Sequence, residues 1–380
     1  MKANMEQQRE RPASVLGKRI REARERLKWS QGRLAEEVEL GSAQIVSSIE
    51  SGSREVKASE LSRVARALKT SIDNLLNPEL RPELQFAWRE QPEEGFEEHE
   101  ARFLLKCERY GLLEKWCQVA SAQPLPALRF TAPSPTFADV QRQADNTRNT
   151  LQLGGRPACS LETTLEEDYG LKIFYDDLGA NGGSAFSVES WFGKAVLLNS
   201  AHAPWRRNYS LAHELFHLLT TNELNSCGRE QVEKLANVFA SALLLPSDHV
   251  LSAIDDHLFE GKISYENLVE IAREFGVSID ALLWRLVNLR RLEHNTVRQA
   301  LASNNLRAID KASFPSWDRE ARVPERYIRL CHLAYRKGKI GLAKLAEFLD
   351  TSIVDLAEQV HETGAELAAG EQAEIALTGC

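Results

Sequence analysis

The sequence predicts a mainly α chain of α+β class, built from separate modules. Three observations predict it. Apolar residues between 15 and 77 recur at helical spacing in five short runs. An amphipathic helical stretch carries His213-Glu214-Leu215-Phe216-His217 downstream of an apolar strand at 171–175. After Pro246 the pattern returns to helices. With 380 residues, 43% of them hydrophobic, the chain can bury two or three cores.

In the N-terminal module, Leu16, Ile20, Ala23 and Leu27 repeat near 3.6 residues, and Ser30 is placed to cap a helix from Gln31 through Leu34, Ala35 and Val38. A turn at Leu40-Gly41 follows. Ser42 can cap a third helix, which runs to Glu50 and ends at Ser51-Gly52, and segments 58–68 and 71–76 close the bundle. Residues 1–77 hold 15 Lys and Arg against 11 Asp and Glu, a balance of +4. The whole chain is at −8, so the other 303 residues carry −12. Only the N-terminal module favours nucleic acid by charge.

Ser30-Gln31, Leu34-Ala35, Ile49-Glu50, Gly52, Arg54 and Leu75-Leu76 together resemble the XRE (Cro/C1-type) helix-turn-helix family. The resemblance implies a five-helix DNA-binding domain over 14–77 whose third helix enters the major groove. Ala43, Gln44, Ser47 and Ser48 are then expected to face bases beside Ser42, while Gln31, Arg54 and Lys57 touch phosphates. A double-stranded DNA operator and a homodimer are the implied partners. The chain has one residue more than the common pattern between Leu34-Ala35 and Ile49-Glu50, which moves the expected start of the recognition helix one position later.

Residues 78–154 read as a connector. A charged helix over 93–119 offers Phe96, Phe103, Leu104, Leu112, Leu113 and Trp116 for packing, four prolines between 123 and 135 break regular structure, and a helix follows at 136–151. Segment 161–169 is helical and leads into the strand at 171–175.

His213 and His217 stand four apart, so on a helix both rings reach one ion, with Glu214 at the edge of that site. Leu211, Leu215, Leu218 and Leu219 supply an apolar face, and Ser210 is a candidate N-cap. A catalytic zinc site commonly takes three protein ligands and leaves a position for water. After a turn at 225–228, a helix over 229–245 carries Glu233, which an antiparallel return brings opposite the two histidines. Glu223, Glu230, Cys227 and His249 are the alternatives. Asn237 is grouped with Ala236, Phe239, Ala240, Leu243 and Leu244 on the apolar face, and Pro246 ends the helix. Tyr209 and His202 are the nearby candidates for holding an oxyanion.

The run from Arg206 to His217, followed by Glu233-Lys234-Leu235-Ala236-Asn237-Val238-Phe239-Ala240 and Leu243-Leu244-Leu245-Pro246, resembles the ImmA/IrrE family of zinc metallopeptidases. That resemblance implies a zincin-like domain over 155–292 and a Zn2+ cofactor. Its third ligand maps onto Glu233, and short strands are expected at 183–187 and 194–199. It also implies endopeptidase activity with Glu214 as general base, acting on a protein substrate such as a helix-turn-helix repressor in stress, prophage or mobile-element control. A regulator whose peptidase fold serves only as sensor or dimerisation unit is the alternative, and a protease whose N-terminal bundle recruits protein is a third.

Downstream, 263–275 and 278–292 form a helical hairpin. Residues 324–362 add another pair with a turn at Lys339-Ile340-Gly341, within a helical C-terminal region taken as 293–380. Arg148, Arg206 and Arg207 read as salt-bridge partners, and Asp176-Asp177 as the start of a turn. No run of 18 apolar residues suggests a membrane span, no apolar signal core opens the chain, and the cysteines at 107, 117, 159, 227, 331 and 380 show no CxxC spacing. A cytoplasmic protein with reduced thiols and no membrane partner is expected, with Cys380 a solvated tail thiol.

Overall fold

The computed structural model describes residues 12–76, 87–88, 95–120, 122–130, 134–180, 183–220, 224, 227–313 and 323–356. The turn at 225–226, Glu223, the tail beyond 356 and Cys380 lie outside them. The chain divides into two compact units, one of residues 1–107 with 122–322 and one of 108–121 with 323–380.

The first unit opens with five helices, α1 (Pro12–Arg26), α2 (Gln31–Glu37), α3 (Ala43–Glu50), α4 (Ala58–Ala67) and α5 (Ile72–Leu76). Ile20, Leu34, Val46, Ile49 and Val64 fill their common core. Ser30 caps α2 by accepting the Arg33 N–H at 3.1 Å, as its type and place predict. Ser42 stands at the N-cap of α3 but makes no side-chain cap bond, and α3 begins at Ala43 without the one-residue delay. Gly17 permits the close crossing of α1 over the end of α3, since a Cβ there would stand 2.3 Å from the Ile49 carbonyl oxygen.

A buried ion pair ties these helices. Arg24 donates from Nε to Glu50 Oε1 at 2.6 Å, from Nη2 to Oε2 at 3.0 Å and from Nη1 to the Trp29 carbonyl at 2.6 Å. Removing one member of a buried pair leaves the other charge desolvated. Glu50→Ala is therefore expected to lower the opening free energy of residues 31–50 by roughly 3–5 kcal/mol in amide hydrogen exchange of the full chain. A change below about 1 kcal/mol would show the pair to be expendable.

The rest of the unit is built on a small sheet of strand order β1-β3-β4-β2, made of β1 (Ala87–Trp88), β2 (Lys172–Asp176), β3 (Ala185–Ser190) and β4 (Gly193–Asn199). β3 and β4 form an antiparallel hairpin, β2 runs parallel to β4 with Ile173 opposite Val196, and β1 lies antiparallel on β3 with Ala87 opposite Ser187. β2 is buried along its whole length, as expected of a parallel strand covered on both faces. Helix α6 (Phe96–Cys117) sets Phe103 edge-on against Phe174 and Phe186, with ring centroids 5.9 and 5.1 Å apart.

Around the sheet lie α7 (Phe137–Thr150), α8 (Leu161–Glu167), α9 (Pro204–Leu219), α10 (Arg229–Leu244), α11 (Ser247–Asp256), α12 (Tyr265–Glu274) and α13 (Ile279–Asn288). Then come α14 (His294–Ala302) and α15 (Asn304–Ala312), which fall within the region 293–380 expected to be a separate helical C-terminal part. Val297, Ala300 and Leu306 are buried in the same core as α9 and α10, so this core continues past residue 292. Among the described residues no single helix is long and apolar enough to cross a membrane.

The second unit packs α16 (Glu325–Arg336) and α17 (Leu342–Phe348) against residues 108–117 of α6. Tyr110 and Tyr327 meet at 5.4 Å, Trp116 stacks on Phe348, and Arg326 donates to the Tyr110 hydroxyl at 2.9 Å and to Glu114 at 2.6 Å. The end of the charged helix is thus core for this unit, not a connector. Burial pushes the Cys331 thiol up to about 12, which keeps it protonated and unreactive.

Candidate metal centre and nucleic-acid interface

Pro204 at the first position of α9, with Ala203 as N-cap, starts the helix six residues before Ser210. Ser210 is fully buried within the helix, so its expected cap role does not hold. The early start puts His213, Glu214 and His217 in the body of a buried helix. His213 and Glu214 are 0% and 1% exposed, while His217 is half-buried. Leu211, Leu215, Leu218 and Leu219 are buried, as the apolar face requires.

α10 returns against α9 through fully buried Leu235, Ala236 and Phe239, with the Phe239 ring 5.4 Å from that of Phe216. This contact carries Glu233, on the turn before Ala236, to the histidines. His213, His217 and Glu233 each offer one ligand atom, all within 4.8 Å of one another. His213 Nε2 lies 3.1 Å from Glu233 Oε2 and 3.2 Å from His217 Nε2, and His217 Nε2 lies 3.6 Å from Glu233 Oε1.

Those separations suit an ion. Tetrahedral ligands about 2.1 Å from one zinc stand roughly 3.4 Å apart. Asn237 sharpens the case, because its Oδ1 faces His213 Nδ1 at 3.1 Å. An amide oxygen only accepts, so with this assignment of the amide Nδ1 carries the hydrogen and Nε2 turns a lone pair toward the Glu233 carboxylate. Two acceptors facing one another call for a cation or a proton between them.

Burial raises the Glu233 carboxyl, but when a proton fills that gap the His213 hydrogen bond and the charges of His217, His213 and Arg229 outweigh it and hold the group below the usual range. An ionised carboxylate and two imidazoles form a mixed N/O donor set that zinc accepts.

Among the described residues, the other acids and donors stand elsewhere or have other partners. Glu230 receives Lys234 Nζ at 2.7 Å, and His249 Nδ1 stands 3.1 Å from Asp248. Cys227 is half-buried at the start of the turn into α10. Tyr209 donates its hydroxyl to the Asn237 carbonyl at 2.9 Å, and His202 is buried with Nε2 3.4 Å from Asn199 Nδ2. Arg148 donates to the Gly154 carbonyl at 3.3 Å, Arg206 donates to Ser184 Oγ at 3.2 Å, and Arg207 lies over the Tyr175 ring. Asp176 ends β2 with its carboxylate 2.9 Å from His99 Nδ1, and Asp177 accepts the Gly179 N–H in a turn.

Asn237 departs from its expected place in α10. It is exposed, not part of the apolar face, and it orients a ligand from the site's outer side. Its signal was present, since Glu233 and Asn237 stand four apart and share one helical face.

In the N-terminal module, Gln44 and Ser47 are exposed on α3, whereas Ser42, Ala43 and Ser48 are half-buried. Ser48 Oγ donates back to the Gln44 carbonyl at 2.9 Å. Gln31 donates from Nε2 to Glu50 Oε2 at 2.8 Å, Arg54 forks onto Glu60, and the Lys57 side chain is exposed at the start of α4. The polar surface of α3 is thus narrow, and two of the expected phosphate contacts already hold acidic residues.

Residues 20–75 match a family model described as helix-turn-helix, and residues 166–287 match one described as IrrE N-terminal-like domain. A curated relative, the radiation response metalloprotease IrrE of Deinococcus deserti, is 32% identical over 145 residues, covering 35% of this chain and 48% of that protein. The chain therefore spans about half the length of the curated relative it matches. Among solved structures, apo forms of the competence regulator ComR from Streptococcus vestibularis and from S. thermophilus align over 94% of this chain and 99% and 100% of theirs. The identities are 13% and 12% and the TM-score is 0.17 for both, a likeness that carries no argument.

Proposed function

We propose that this chain, which carries a helix-turn-helix domain and an IrrE-like metallopeptidase domain, is a DNA-binding regulator that hydrolyses a peptide bond in a regulatory protein, with a helix-turn-helix repressor as the expected substrate. The observation that carries this reading is the convergence of His213, His217 and Glu233 next to a buried Glu214. His213, His217 and Glu233 would hold a zinc ion, which when bound would supply Lewis acidity for activating water and polarising a peptide carbonyl.

The chain's own residues do the rest. Glu214, one residue beyond His213, takes the water proton and returns it to the leaving amine. Asn237 holds the His213 ring with Nε2 toward the site. The N-terminal module brings the chain to DNA, through Gln44 and Ser47 at base edges and Lys57 and Arg54 at phosphates.

Cleavage in cis is a second reading, and one observation favours it. The connector places Ala87-Trp88 as a strand on β3 of the peptidase sheet, so this stretch already lies extended along the sheet edge.

A peptide library digested with the purified chain tests the activity. Cleavage should be lost after chelation and restored by added zinc. A chain loaded with zinc that leaves both the library and its own connector intact would replace the peptidase reading with that of a sensor.

A further inference from the structure

We propose that Glu60 is a positioning residue for DNA binding, its carboxylate fixing Arg54 and Lys57, the two cations of the loop between α3 and α4, in the arrangement that meets the phosphate backbone. The inference rests on reading the N-terminal module as DNA-binding.

Glu60 is 8% exposed and stands in the first turn of α4. Arg54 donates from Nη2 to Glu60 Oε1 at 2.7 Å and from Nη1 to Oε2 at 3.1 Å, a two-pronged contact that sets the plane of the guanidinium. Glu60 Oε2 also accepts the Lys57 backbone N–H at 3.0 Å. One carboxylate thus holds the side chain of one loop cation and the backbone of the other.

The opposite end of the loop is tied to α3. The N–H groups of Ser53 and Arg54 donate to the Ser48 carbonyl at 2.9 and 3.0 Å, and Gly52, at φ +72°, turns the chain where other residues are strained. The recognition helix and its flanking cations therefore form one frame, closed by Glu60. Arg54 remains one-third exposed, and the fork engages only its Nη1–Nη2 edge, so its Nε–H and outer hydrogens can still reach a phosphate. The Arg54 fork, helped by the Lys57 N–H, also holds the Glu60 carboxyl below the usual range, so it is ionised at neutral pH.

Simple electrostatics predicts the opposite outcome, which makes the inference testable. A carboxylate beside DNA repels phosphate, so its removal should tighten binding if charge alone mattered. Positioning predicts loss.

The experiment is fluorescence anisotropy of the full chain with a random-sequence DNA duplex between about 50 and 200 mM salt. The variants are Glu60→Gln, Arg54→Ala and both together, and melting curves confirm folding at the assay temperature. Glu60→Gln keeps an acceptor for the Lys57 N–H, so the start of α4 should survive.

We expect Glu60→Gln to weaken binding about three- to tenfold and to make the slope of log K against log salt shallower by about one, the loss of one phosphate contact. Arg54→Ala should do the same, and the double variant should bind no more weakly than either single one. Equal or tighter binding by Glu60→Gln, with an unchanged or steeper slope, overturns the proposal alone. Absence of DNA binding by the unmodified chain overturns it together with the DNA-binding reading.

Discussion

In the Glu214→Gln chain, peptide hydrolysis is expected to fall about 10²–10⁴-fold while bound zinc stays at the level of the unmodified chain. Glutamine matches glutamate in shape but cannot take a proton from water at neutral pH. Glu214 is 1% exposed and lies outside the three-residue donor set, so the substitution removes the base and leaves the ligands in place. The check is kcat on one cleaved library peptide together with zinc per chain from elemental mass spectrometry. Retained hydrolysis would move the base elsewhere. Loss of both hydrolysis and zinc would mean that Glu214 contributes to holding the ion.

Glu233→Ala is expected to have the converse effect, with zinc content dropping from about one per chain toward zero and activity going with it. Glu233 is the only carboxylate in the donor set, and its removal leaves two imidazoles, one ligand fewer than catalytic zinc sites commonly use. Asn237→Ala keeps all three ligands and should fall between, weakening zinc about 10–100-fold, because the His213 ring loses the partner that fixes its orientation. Elemental analysis at defined free zinc separates these cases. Full zinc content in Glu233→Ala would mean that another residue supplies the third ligand.

These two predictions draw on different parts of the sequence. The pairing of His213 with His217 was legible because helical geometry ties residues four apart, whatever surrounds them. The α2 cap at Ser30 and the starts of α2 and α4 were legible for the same reason, since capping and apolar period are short-range properties. Ser210 misled because an oxygen-bearing side chain ahead of an apolar run is only a local hint, while Pro204 had already fixed the first turn. Asn237 misled because it was read by its neighbours in the chain, although its partner, His213, lies 24 residues away.

The sequence by itself determined the class of the chain, the helix-turn-helix module, the helix that carries His213, Glu214 and His217, and the small set of residues, Glu233 with Glu223, Glu230, Cys227 and His249, from which a third ligand could come. Only the tertiary structure decided which of them meets the histidines among the described residues, because Glu233 reaches His213 across the packed faces of α9 and α10. It alone showed that Gln31 and Arg54 are already bound to Glu50 and Glu60, that the core runs on through Leu306, and that the end of α6 belongs with Tyr327 and Phe348. Periodicity and caps are written in residues a few positions apart, whereas these contacts join residues brought together only when apolar faces distant in sequence leave water.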